Sequence, residues 1–127
     1  DPALGPGNSG VLLRRIGPDK VWPRSIEAQL HHRNAGDIWN IDEFPMVTDE
    51  GRLDGRRTRK LDLSSEKPLG EWNRYRILLD RGRLTLEVNG VLQNTATWCD
   101  VLPGHIALQS EGAAIEFRNV RLRPITN

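Results

Sequence analysis

The sequence predicts an all-β protein, an antiparallel β-sandwich, and three observations carry that prediction. Helix-period patterning is absent. Short runs that alternate apolar and polar residues recur, bounded by Gly, Pro, Asn and Asp. The eight prolines are confined to the segments between those runs.

Taken in order, residues 1–9 ("DPALGPGNS") read as a loop, with "GNSG" flexible. "SIEAQLH", residues 25–31, alternates cleanly. Ile26, Ala28 and Leu30 face one way, and Glu27, Gln29 and His31 the other. Residues 42–72 read as loop apart from a short strand near 58–63, and a loop of that length points to function. "NRYRILLD" (73–80) aligns Tyr75, Ile77 and Leu79, and "RLTLEVNG" (83–90) aligns Leu84, Leu86 and Val88. Arg81-Gly82 reverses the chain between them. Asn89-Gly90 provides the positive φ values of a type I′ turn, so residues 73 to 95 form a three-stranded meander. In "HIALQSEGAAIEFRNVRLRPI" (105–125), two strands flank a turn at Gly112. Apolar parity changes between Ile115/Phe117 and Val120/Leu122, which predicts a β-bulge near Arg118-Asn119.

Length gives one domain, residues 1–127. Eighteen basic and seventeen acidic side chains leave a net charge of +1, with no drive toward nucleic acid. The basic stretch "GRLDGRRTRK" (51–60) is interrupted by Asp and Gly and reads as a solvated loop. The lone Cys99 excludes an internal disulfide and a Cys-based zinc site. No apolar run approaches the ~20 residues of a membrane span. The chain opens on Asp1 rather than Met and carries no signal-peptide pattern, so a preceding segment is expected in the full protein.

Six blocks in order resemble one family. They are "GNSGVLLR" (7–14), "SIEAQL" (25–30), "AGDIW" (35–39), "KPLGEWNRYRI" (67–77), "LTLEVNGVLQN" (84–94) and "GHIALQSEGAAIEFRNVRLRPI" (104–125). Together they resemble the 3-keto-disaccharide hydrolase domain, common in secreted bacterial proteins. The resemblance implies a concanavalin A-like jelly roll, an extracytoplasmic location and a carbohydrate-related role, in some members cleavage of 3-keto-glycosides. Two departures stand out. Family members carry a further strand before "GNSG", so the chain reads as the C-terminal two-thirds of a longer domain, completed by an upstream segment or a partner chain. Many members also have histidine where this chain has Glu111.

On such a sandwich the polar sides of 25–31 and 105–111 would line a sugar site, with tryptophan as the stacking platform. Ordinary glycoside cleavage needs two carboxyl groups roughly 5 to 9.5 Å apart. Glu27-Ala28-Gln29-Leu30-His31 has an amide where glucanases of this broad fold place their middle acid, which disfavours a retaining glucanase. A 3-keto sugar needs less. Its ketone acidifies the C2 proton, so one base can eliminate the aglycone and water then adds back. The candidate catalytic residues are Glu27, Glu111 and Asp42. The candidate substrate-binding residues are Arg14, Gln29, His31, Trp39, Lys67, Trp72 and Gln109, with Arg14 or Lys67 as donor to the ketone oxygen. Asp42 and His31 are alternative metal or proton-transfer partners; the cofactor is unknown, and a divalent metal stays open. Two rival expectations stand beside this one: a lectin-like module that binds carbohydrate without chemistry, and a structural interaction domain.

Overall fold

The computed structural model describes residues 6–125 and is all-β apart from one 3-10 turn at Glu50–Arg52. Its strands are β1 (Asn8–Arg15), β2 (Ser25–Gln29), β3 (Ile38–Ile41), β4 (Leu53–Asp54), β5 (Arg57–Thr58), β6 (Tyr75–Asp80), β7 (Arg83–Val88), β8 (Val91–Ala96) and β9 (His105–Glu111). Six form one antiparallel sheet in the order β4-β5-β3-β2-β1-β9, and β6-β7-β8 form the second.

The sandwich closes over the predicted apolar positions. Leu13, Ile26, Ala28 and Ile38 from the large sheet meet Leu84, Leu86 and Ala96 from the small one, with Phe44 and Cys99 between them. Tyr75, Ile77 and Leu79 pack against this cluster half-buried. Each fully buried aliphatic side chain contributes about 1.5–3 kcal/mol. The meander turns are as the sequence predicts, with positive φ at Arg81 (55°), Asn89 (52°) and Gly90 (81°).

Four expectations change. "GNSG" enters strand β1 at Asn8 because Asn8 and Ser9 find ladder partners on β9, and Gly10 finds them on both β2 and β9. The 42–72 region contributes the short β4–β5 hairpin, which begins at Leu53 rather than near 58 and extends the large sheet beyond β3. Residues 113–125 form no ladder, so the predicted bulge has no partner strand to bulge against; Asn119 nevertheless turns at φ 53°. Ile106 and Leu108 share a face as predicted, yet they are 51% and 46% exposed because the small sheet does not extend over β9.

Candidate functional site

Alternation along each strand gathers polar side chains on the outer face of the large sheet, with Leu12 and Trp39 among them. Across the ladders, Leu12 of β1 faces Glu27 of β2, Glu27 faces Trp39 of β3, and Trp39 faces Arg57 of β5. One step along, Gly10 lies between Gln29 and Gln109, and Asn8 faces Glu111. The polar sides of residues 25–31 and 105–111 therefore meet across β1.

Glu27 is only 4% exposed although it lies on this outer face. Its carboxyl reaches over Gly10, where an added Cβ would come within 2.5 Å of Oε1. A glycine is needed there for space, since Gly10 does not adopt a positive φ. The Gln29 amide satisfies its neighbours only with Nε2 toward Glu27, donating to Glu27 Oε1 at 2.8 Å and to the Ser9 carbonyl at 2.9 Å. In that orientation Gln29 Oε1 accepts from Trp39 Nε1 at 3.1 Å. Burial first, then the charge of Glu111, raise the Glu27 pKa from 4.5 to about 7. Glu111 itself accepts hydrogen bonds from Asn8 Nδ2 at 2.9 Å and Gln109 Nε2 at 3.0 Å. The result is a buried proton-holding carboxyl beside a second carboxyl fixed by two amides. That pairing is what proton transfer near neutral pH requires.

The other expected site residues lie elsewhere. Arg14 has the parity of Asn8 and Gly10, but a register shift after Leu12 and a φ of 49° turn it away. Its guanidinium donates to the carbonyls of Arg81 and Asp100, bracing the two sheets. Asp42 sits past the end of β3 at φ 58°, paired with Lys20 at 3.5 Å. His31 lies in the turn at the other end of that hairpin, its Nδ1 3.2 Å from Asn34 Nδ2. Asp42 and His31 are therefore not brought together. Among the described residues no three His, Cys, Asp or Glu side chains gather as a metal-ligand set. Lys67 is exposed in the 61–74 loop. Trp72 lies on the same loop, with the Arg118 guanidinium 4.0 Å above its ring.

Sequence reasoning missed Gly10, Asp37 and Arg57 as parts of this face. Asp37 shares the parity of Trp39 and is 2% exposed. Its Oδ1 accepts from the Lys60 backbone N–H at 2.8 Å, and its Oδ2 lies 3.9 Å from Arg57 Nε. Parity from Trp39 could have found Asp37; Arg57 required knowing that β5 pairs with β3. Two open hollows flank the sheets. One, about 270 Å³, is walled by Arg74, Arg76 and Glu87 on the outer side of the small sheet, where side chains form a surface ion pair and no carboxyl is buried. The other, about 280 Å³, opens over Asp37 and Arg57, next along the row from Trp39.

A family model described as the 3-keto-alpha-glucoside-1,2-lyase-like domain matches residues 2–123. The chain belongs to that family. The match covers β1 to β9 and the segment after them, so the row through Glu27 lies wholly inside the 3-keto-alpha-glucoside-1,2-lyase-like domain. No curated protein and no solved structure matches the chain.

Proposed function

We propose that this domain cleaves the glycosidic bond of 3-keto-glycosides in extracytoplasmic carbohydrate breakdown, with Glu27 as the base. The observation that carries this reading is the buried Glu27 carboxyl, its pKa raised to about 7 beside Glu111. Glu27 removes the proton at C2, which the neighbouring ketone acidifies. The C2–H electrons form the C1–C2 double bond, the C1–O bond breaks, and the departing oxygen takes the proton that the Glu27 carboxyl has just received. Addition of water across the double bond completes a net hydrolysis. Arg57, two strands from Glu27 and paired with Asp37 and Asp54, stands over the neighbouring part of the ligand rather than at the ketone oxygen. Trp39 supplies an apolar surface between the two, held by its hydrogen bond to Gln29.

The test is to incubate the protein with a 3-keto-glucoside and with the unoxidised parent glucoside, each with and without chelator. Turnover of the keto sugar alone is expected. Its kcat/KM should rise as pH increases through about 7, because the base must be deprotonated. Glu27→Gln should lower kcat by roughly 10²- to 10⁴-fold. Full turnover by that variant removes the assignment. A lectin-like reading is favoured by one feature: the amides of Asn8, Gln29 and Gln109 are already paired to the two carboxyls. It predicts sugar binding with no turnover of either glucoside.

A further inference from the structure

The row through Glu27 and Trp39 does not end at neutral residues. It runs into a cavity of about 280 Å³ whose wall carries Arg52, Arg57, Arg59 and Lys60 against the single carboxylate of Asp37. Two of these cations are committed. Arg52 pairs with Asp49 at 3.3 Å and donates to Asn94 Oδ1 at 2.7 Å, while Arg57 lies 3.9 Å from Asp37 and 3.3 Å from Asp54. The side chains of Arg59 and Lys60 form no close ion pair among the described residues; Lys60 feels the Asp37 carboxylate from a distance, and Arg59 is exposed. The wall is built rather than incidental. Asp37 holds the Lys60 backbone from below, and Arg52 donates to the Arg59 carbonyl at 2.6 Å, so both cations stand on a fixed backbone.

We infer that this cavity is a subsite for an anionic substituent, carboxylate or sulfate, on the sugar unit adjoining the one cleaved at Glu27. The inference rests on the carbohydrate reading above. Glu27, Trp39 and Arg57 occupy successive strands, so Arg57 lies two strand spacings from Glu27, roughly 9–10 Å. A ligand longer than one sugar ring spans that distance, with one unit at Glu27 and the next over the cavity. A concave wall of one sign concentrates its field on an entering anion, and an arginine guanidinium matches the planar carboxylate or the oxygens of a sulfate ester. A neutral sugar would leave Arg59 and Lys60 without that gain.

The test titrates four glycosides into the intact chain and reads Trp fluorescence and NMR shifts. They are methyl glucoside, methyl glucoside 6-sulfate, the disaccharide of glucose with glucuronic acid and its neutral counterpart of two glucose units, in both anomeric forms. Sodium acetate and sodium sulfate are the controls. The charged disaccharide is expected to bind about tenfold more tightly than its neutral counterpart at about 0.05 M salt, and the gap to close at about 0.5 M. Arg59→Gln with Lys60→Gln should erase the gap while leaving neutral-sugar affinity unchanged, and circular dichroism confirms the fold. The carboxylate and sulfate arms decide which anion the wall prefers. Equal affinity for neutral and charged sugars overturns the subsite and leaves the carbohydrate reading intact. Acetate or sulfate binding as tightly as the charged disaccharide overturns it too, because the sugar then adds nothing. If no glycoside binds, charged or neutral, the subsite is overturned, and the carbohydrate reading falls with it only if the 3-keto-glucoside is not turned over either.

Discussion

At the scale of single residues, Glu27 and Gly10 act as a pair. The side chain that Gly10 lacks is what allows the Glu27 carboxyl to lie over β1. Gly10→Ala would put a Cβ 2.5 Å from Glu27 Oε1 and 2.9 Å from its Cγ, so Glu27 has to swing away. Because the obstructing atoms belong to a side chain, the expected stability loss is moderate, about 1–3 kcal/mol. Catalysis should fall as far as in Glu27→Gln. Thermal unfolding beside a turnover assay checks both halves. Glu27 also makes stability depend on pH. Burial favours its protonated form, so between about pH 4.5 and about 7 the folded chain keeps a proton that the unfolded chain has released. Stability contributed by this group is fully present below that window and declines as pH rises through it, by on the order of 3 kcal/mol. Glu27→Gln removes the slope: urea unfolding should find the variant equal to the parent near pH 4 and more stable near pH 8. Gly10 was legible in "GNSG" only as flexibility, because the sequence does not say that a carboxyl on the neighbouring strand needs the space.

Among the elements, β8 shows how far local pattern reaches. The hairpin β7–β8 was legible because Asn89-Gly90 fixes it locally. What β8 does was not. A register shift opposite Leu86/Glu87 leaves Gln93 and Asn94 both fully buried, which simple alternation forbids. Asn94 Nδ2 donates to the carbonyls of Gly36 and Thr58 at 3.0 Å each, and Gln93 Nε2 to the Leu63 carbonyl at 2.9 Å. These two amides clip the 59–66 segment to the small sheet and, through Asn94 Oδ1, hold Arg52. Their partners are distant carbonyls, which carry no sequence signature. Asn94→Ala strands buried carbonyls and the Arg52 donor, at a cost of about 3 kcal/mol. It should also speed amide hydrogen exchange at Arg59 and Leu61, whose N–H groups bond to Arg52 and Gln93 carbonyls at 3.0 and 2.6 Å. Exchange confined to the β1–β2 ladder instead would contradict the clip.

For the molecule as a whole, the mismatch between six strands and three governs behaviour. Alternation in the sequence marks which residues share a face, and those faces are correct for β2, β6, β7 and β9. It did not tell which faces would be covered, because coverage depends on how many strands the opposing sheet brings. Over β2 and β3 the small sheet supplies Leu84 and Leu86, and burial is complete. Over β9 it supplies nothing, leaving Ile106 and Leu108 about half exposed, and the adjoining ladderless segment adds Val120 at 68% and Leu122 at 81%. Apolar side chains exposed beside an open strand edge invite pairing with another chain. The isolated chain should therefore self-associate as its concentration rises, and Val120→Lys with Leu122→Lys should suppress that association. Sedimentation velocity across a concentration series measures it. Because β9 also carries Gln109 and Glu111 on its opposite face, association along this edge would stiffen the strand that holds Glu111 beside Glu27. The charged variant should accordingly stay monomeric and still bind sugar, but with weaker affinity wherever Glu111 is part of the contact.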